Sequence, residues 1–397
     1  MGKTLAEASG GRANNTAFAR FLLTSTVIYS HSFALMWGSN EFEPVAMLTQ
    51  RQASAGGLAV EGFLILSGFL ITRSWFFSRG VKDFLVRRTL RIYPAFLVAA
   101  VLCGLVAVPW LACFDPEPGS LGFWNDLVFP ALLLRYTPLW SNGSVWILPF
   151  EFACYLIVTL FGIFRAFSNR RFILLLWVLN CCIMVGQLKQ NMFPSHSVML
   201  SRILNNYLAG MVFFLYRDSI RLSRSRFVGA VLGLTFIGAT MASWRLLPLV
   251  SPILWGYVLL FACYDSVGRL QYFAYYGDFS YGTFLYAYPT QMVLVMYFRP
   301  WLHPVTLFLA AWPVAIVCGV LSWFFVERPF LGLKRSSSSS AVPRTAPAAT
   351  ALVAPNNASP HELGAERSSR GFRIGTGASL LFRGPIRPRS VQRSTSD

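Results

Sequence analysis

Charge is scarce in this chain. Of 397 residues only 13% are Asp, Glu, Lys or Arg, while 55% are hydrophobic, and the mean hydropathy is +0.52. Soluble domains carry about 25% charged residues, so the shortage excludes a water-soluble globular fold and leaves an integral membrane protein. Acidic residues are scarcer still, 16 against 34 basic ones, for a formal net charge of +18. That surplus does not mark a nucleic-acid partner. The Lys and Arg residues fall in short runs between apolar stretches, which is the pattern of membrane topology. Cysteine offers little chemistry either. The seven cysteines are odd in number, and Cys103, Cys154, Cys181, Cys182, Cys263 and Cys318 lie in apolar segments. With no CxxC and no Cys/His metal spacing, they are assigned no disulfide, metal or nucleophilic role. A cleavable leader is not expected, because the first apolar run is long and contains Arg20 and His31 instead of ending in small residues. Neither an internal repeat nor a second folded domain is visible.

What the chain does have is long apolar runs. A helix needs about 20 predominantly apolar residues to span a bilayer. Ten windows qualify, at 17–37, 58–77, 90–110, 146–165, 172–188, 198–216, 227–244, 250–267, 279–298 and 305–326. The expected fold is an all-α polytopic membrane protein of about ten transmembrane helices. Basic residues orient it. Lys3, Arg12 and Arg20 precede the first run, and Arg73, Arg79, Lys82, Arg87, Arg88 and Arg91 link the second to the third. Arg165, Arg170, Arg171, Arg217, Arg221, Arg224, Arg226, Arg269, Arg328, Lys334 and Arg335 collect on the same side. Glu41, Glu43, Asp115, Glu117 and Asp126 fall on the other. Both termini are therefore expected to be cytoplasmic. The outer segment 111–145 contains an apolar stretch, 127–134, too short to span and expected to be re-entrant or interfacial. The membrane domain is read as residues 1–335. Residues 336–397, rich in Ser, Pro and Arg without helical period, are read as a disordered cytoplasmic tail.

Polar residues inside such runs are costly and mark function. Arg20 and His31 stand eleven residues apart, which returns them to one helix face with roughly 16 Å between them. The topology places Glu151 at a depth comparable to His31. A carboxylate that accepts one ring N–H would leave the other nitrogen free to take a proton from an attacking hydroxyl. Glu61 is a second carboxylate candidate for the same cavity. On the inner side Arg87, Arg88 and Arg91 form R-R-x-x-R, suited to a phosphorylated donor such as a coenzyme A thioester. Ser67 and Gly68 interrupt a bulky helix and permit close helix approach or room for an acyl chain. Ser67 lacks the G-x-S-x-G setting of a covalent nucleophile.

In order and spacing these motifs resemble the acyltransferase 3 family of membrane O-acyltransferases, which includes bacterial O-antigen and exopolysaccharide O-acetylases. The resemblance runs from Ala17 to Phe330. It rests on Arg20 and His31, on Glu61-Gly62-Phe63 leading to Leu66-Ser67-Gly68-Phe69-Leu70, and on Phe84 to Pro94. Trp146 to Glu151 with Tyr155, Ser280 to Leu285, and Phe325-Val326-Glu327-Arg328-Pro329 complete it. The resemblance implies transfer of an acyl group, usually acetyl, from cytosolic acetyl-CoA or another acyl-CoA to a hydroxyl of an envelope carbohydrate or its lipid-linked precursor. No bound cofactor is implied, the acyl-CoA being a co-substrate. Membrane lipid and the glycan are the implied partners, at the bacterial inner membrane. The resemblance also makes Arg20 and His31 essential, makes Arg87, Arg88 and Arg91 donor contacts, and puts Glu151 in the site. Two departures stand out: Ala287 occupies a place where many members have histidine, and the outer hydrolase-like domain that some members append is not found. From the residues alone two rivals stay open, a permease for a glycan or carboxylate using His31 and the glutamates as a proton relay, and a scaffold for glycan synthesis.

Overall fold

The structure is a computed structural model that describes residues 2–11, 14–103, 142–189, 196–265 and 268–332. These lie in one compact unit, Met1–Ala348. The expected re-entrant stretch at 127–134 and the expected tail at 336–397 fall outside the described residues.

The described residues are mostly helical, with no β-strand beyond an isolated bridge between Thr4 and Arg221. The α-helices are α1 (Leu5–Gly10), α2 (Thr16–Trp37), α3 (Pro44–Leu48), α4 (Ala55–Phe76), α5 (Val81–Leu102), α6 (Leu148–Ile163) and α7 (Arg170–Lys189). They continue with α8 (His196–Leu215), α9 (Arg224–Thr240), α10 (Leu247–Tyr264), α11 (Ser280–Phe298), α12 (Pro304–Ser322) and α13 (Arg328–Gly332). Each of the ten apolar runs overlaps a helix, the third within its described part, which ends at Cys103. Among the described residues, six helices are long and apolar enough to cross a bilayer: Ala55–Phe76, Gly143–Ile163, Arg170–Lys189, His196–Leu215, Leu247–Tyr264 and Pro304–Gly332. The others are diluted or short. In α2 Arg20 and His31 share the helix with six Ser and Thr residues, α5 opens on a basic stretch, α9 has only 17 residues, and α11 is rich in tyrosine.

One boundary differs markedly. The third run was expected to begin at 90, after a basic loop, yet α5 begins at Val81. Asp83 in its first turn pairs with Arg87 one turn on, which suits the helix dipole and gives an i,i+4 ion pair. The R-R-x-x-R cluster therefore stands on a helix.

Helix α4 is the hub. It packs against α2, α6, α8 and α10, while α2 also packs against α11 and α12. The α4–α8 contact is backbone to backbone: a Cβ on Gly68 would collide with the Tyr207 carbonyl, and one on Gly210 with the Ile65 carbonyl. Helix packing in lipid relies on such small residues, so Gly68 serves close approach. Helix α7 is the opposite case. It buries only Ile173, Asn180 and Met184 and exposes Leu175 and Leu179, as a lipid-facing helix does. Ala287 is buried with Ile28 and Ala315, where α2, α11 and α12 meet. The position departing from the histidine pattern is a packing contact.

Candidate active site

The face of α2 that carries Arg20 and His31 lines two cavities. Arg20 and Thr24 border the first, of about 970 Å³. Val27 and His31 border the second, of about 1010 Å³. The spacing 20, 24, 27, 31 is one helical face. Val60 and Leu64 of α4 line both cavities, so the two spaces adjoin at that pair.

Arginine dominates the first cavity, where Arg20, Arg88 and Arg91 all contribute to the wall. Arg20 donates to Asp278 Oδ2 at 2.7 Å, and Arg91 donates to the same oxygen at 2.5 Å. Ser280 donates to Asp278 Oδ1 at 2.6 Å. Burial acts to raise the Asp278 carboxyl, but Arg20 and Arg91 pull it down to about 2. Arg91 also faces Glu327 at 3.6 Å. Glu327, 1% exposed, is held there by a π-helical turn, Trp323–Glu327, that continues α12 and accepts from Ser322 at 3.5 Å. Such π turns recur at functional sites. Arg88 is different. It donates to Ser74 at 2.9 Å, makes no ion pair with a carboxylate among the described residues, and its buried Nε has no partner among them. Arg87, tied to Asp83, does not line the cavity.

Glu151 lines this first cavity beside Ser67. It accepts from Tyr155 at 2.6 Å and from Ser67 at 3.4 Å. The structure thus brings Glu151, Ser67, Arg20, Arg88 and Arg91 together and leaves His31 next door. Among the described residues no carboxylate hydrogen-bonds the His31 ring. The expected His31–Glu151 pair does not form, because α6 is entered through a 3₁₀ turn, Gly143–Ile147, and it is Trp146 of that turn that reaches the His31 cavity. Glu151 lies five residues deeper, against Ser67 of α4.

In the second cavity the His31 ring packs edge-on against Tyr288, with centroids 5.5 Å apart. Glu61 lines this space too, 5% exposed. Arg202 donates to Glu61 Oε1 at 2.5 Å and Ser251 to Oε2 at 2.9 Å. Next to His31, Ser30 donates to the buried Glu43 at 2.7 Å, whose other oxygen accepts from the first N–H of α4, Ala55, at 2.8 Å. Burial pushes the Glu43 carboxyl up, while the Ser30 and Ala55 donors oppose it. This carboxylate ties the C-terminal half of α2 to the start of α4. Asp278, Arg202 and Glu43 were not singled out as site residues from the sequence. For Arg202 a signal existed, an arginine inside an apolar run. For Asp278 none existed beyond its place just before the Ser280-Tyr281-Gly282 motif.

Among the described residues no cluster of His, Cys, Asp and Glu is disposed to hold a metal ion.

Comparison with known proteins fits this arrangement. An acyltransferase-domain family model matches residues 17–328. An O-acetyl transferase of Shigella phage Sf6 is 28% identical over 333 residues, covering 79% of this chain and 94% of the phage protein. Nodulation protein 10 of Rhizobium leguminosarum bv. viciae is 33% identical over 92 residues, 23% of this chain and 24% of that protein. No solved structure matches. With the family model covering α2 to the start of α13, the chain belongs to the acyltransferase 3 family and is an acyltransferase.

Proposed function

We propose that this protein is a membrane O-acetyltransferase that moves an acetyl group from cytosolic acetyl-CoA, or another acyl-CoA, to a hydroxyl of an envelope carbohydrate such as an O-antigen, an exopolysaccharide or a lipid-linked precursor. The observation that carries this reading is the junction of the two cavities at Val60 and Leu64, with three arginines on one side and His31 on the other. Guanidinium groups suit the phosphates of coenzyme A. Arg88, which makes no ion pair with a carboxylate among the described residues, is the leading contact, and Arg20 and Arg91 frame the wall. The acyl arm reaches past Ser67 toward the junction. His31 takes the proton of the acceptor hydroxyl as the hydroxyl oxygen attacks the thioester carbonyl; the C–O ester bond forms, the C–S bond breaks, and the proton passes from His31 to the departing sulfur, so that coenzyme A leaves as a thiol and the imidazole is restored. Glu151, held by Tyr155 and Ser67, and the Glu61–Arg202 pair shape the two halves of the site. The reading includes ten membrane spans at the inner membrane, both termini and the 336–397 tail cytoplasmic, as the basic loops argue.

The test uses the full-length protein in nanodiscs with radiolabelled acetyl-CoA and envelope glycan stripped of its O-acetyl groups by mild alkali. Label should enter the glycan as an alkali-labile ester, and His31→Ala should lower the rate by roughly 10²- to 10⁴-fold. Full transfer by His31→Ala would remove His31 from the chemistry. Glycan uptake into proteoliposomes without acetyl-CoA consumption would replace the transferase by a permease.

A further inference from the structure

A third space lies away from both cavities. Helix α8 packs against α7 and α10, while α9 packs chiefly against α10. What remains beside these four helices is a groove of about 1170 Å³, bordered by Trp177 of α7, Val212 of α8, Gly229 of α9 and Leu254 of α10. It opens among lipid-facing side chains: Leu175 and Leu179 of α7 and Val228 and Leu232 of α9 are all exposed. Gly229 helps keep it open, since a Cβ built there would meet no atom within 4 Å.

One end of the groove is polar. Ser219, in the turn after α8, and Arg226, in the first turn of α9, both border it and are exposed. Tyr257 of α10 borders it as well and holds that connection in place, its hydroxyl donating to the Arg221 carbonyl at 3.0 Å and accepting from the Ser223 N–H at 2.9 Å. Arg226 donates to the Arg221 carbonyl at 3.3 Å, which uses one of its five N–H groups, and it makes no ion pair with a carboxylate among the described residues. The connection carries Arg217, Arg221, Arg224 and Arg226 against one acid, Asp218. Away from this rim the lining is apolar. Apolar walls that end at a guanidinium match an amphiphile with a negative head, and basic pockets between transmembrane helices take anionic lipid heads.

We infer that this groove binds one anionic phospholipid from the leaflet on the side of the basic loops. Arg226 and Ser219 take its phosphate, and the upper part of an acyl chain lies along the groove beside α9. The lipid thereby fills the space that the packing of α9 on α10 leaves open. A free anion would gain nothing from the apolar walls, and a zwitterionic lipid would bring its own cation to a rim already rich in arginine. This site is independent of the acyl-transfer reading and uses none of its residues.

The experiment uses the full-length protein in detergent, stripped of lipid, with native mass spectrometry to count bound phosphatidylglycerol or phosphatidylcholine and thermal unfolding beside it. One phosphatidylglycerol should be retained at concentrations where phosphatidylcholine is not, and it should raise the unfolding temperature. Arg226→Gln should weaken phosphatidylglycerol binding roughly fivefold, the worth of one basic residue facing an anionic head, and leave phosphatidylcholine unchanged. Gly229→Leu, which fills the groove without meeting a protein atom, should abolish retention of phosphatidylglycerol. Equal retention of the two lipids by the wild type, or a preference that survives Arg226→Gln, would overturn the assignment. Binding weakened by Arg226→Gln yet untouched by Gly229→Leu would place the head on the basic turn alone and remove the groove. Tighter retention of a polyprenyl phosphate than of phosphatidylglycerol would overturn the phospholipid as occupant in favour of a lipid-linked substrate. If Gly229→Leu does not fold, Arg226→Gln, an exposed substitution, decides alone.

Discussion

Arg91 Nη2 lies 2.5 Å from Asp278 Oδ2, joining the basic helix α5 to the residue just ahead of α11, with Arg20 of α2 on the same oxygen. One carboxylate therefore holds three helices around the arginine-lined cavity. Its ionised form is the one the fold favours. A carboxyl depressed from about 3.9 to about 2 contributes stability that is complete above pH 4 and is lost as pH falls toward 2, about 2 kcal/mol in all. Thermal unfolding in detergent should show that acid component in the wild type. Asp278→Asn should lack it, and should be about 3 kcal/mol less stable at neutral pH, because Arg20 loses its carboxylate and Arg91 keeps only Glu327 at 3.6 Å.

How much of this was legible beforehand depends on range. The 3.6-residue period carried Arg20 and His31 to one face, and apolar runs gave the positions of the long helices. The start of α5 was hidden because an apolarity window discards a basic stretch. Yet Phe84, Ala95 and Ala99 are buried and Arg88 and Arg91 line the cavity, a helical rhythm of 84, 88, 91, 95 and 99. Arg20 and Asp278 are separated by 258 positions, and no local pattern joins such residues. The separation of His31 from Glu151 was hidden because counting residues along two helices says nothing of which way each side chain turns: Glu151 faces Ser67, and Trp146 of the preceding 3₁₀ turn lines the His31 cavity.

The R-R-x-x-R set should divide by role. Arg88 lines the cavity with its Nε unpartnered among the described residues, whereas Arg87 is turned to Asp83. Arg88→Met should raise the acetyl-CoA KM roughly 10- to 100-fold, the range for hydrogen bonds to charged groups. Arg87→Met should cost about 0.5 kcal/mol of stability, as an i,i+4 pair does, with a far smaller effect on donor KM. Steady-state kinetics beside thermal unfolding separates the two.

Gly68 and Ser67 are neighbours with opposite sensitivities. Gly68→Ala drives a methyl group into the Tyr207 carbonyl of α8, so the helices must part at a cost of about 3 kcal/mol. Ser67→Ala removes only a 3.4 Å hydrogen bond to Glu151. It should cost about 1 kcal/mol and slow acetyl transfer by less than about tenfold. A loss of several orders of magnitude would make Ser67 a nucleophile.

The Glu61–Arg202 pair offers a sharper contrast, because both groups are held inside the bundle. Glu61→Gln leaves the Arg202 guanidinium without its counter-ion, and Arg202→Met leaves a carboxylate with only Ser251 to satisfy it. Each single variant should lose about 3 kcal/mol or more, since an unpaired buried charge is far costlier than none. The double variant should be more stable than the sum of the two losses predicts, which unfolding of all four proteins in one double-mutant cycle measures. Equal additivity would mean that solvent already screens the pair. The same four proteins test the charge balance of the cavity that Glu61, Arg202 and His31 all line: each single variant leaves a net charge there, so transfer should fall further in them than in the double variant.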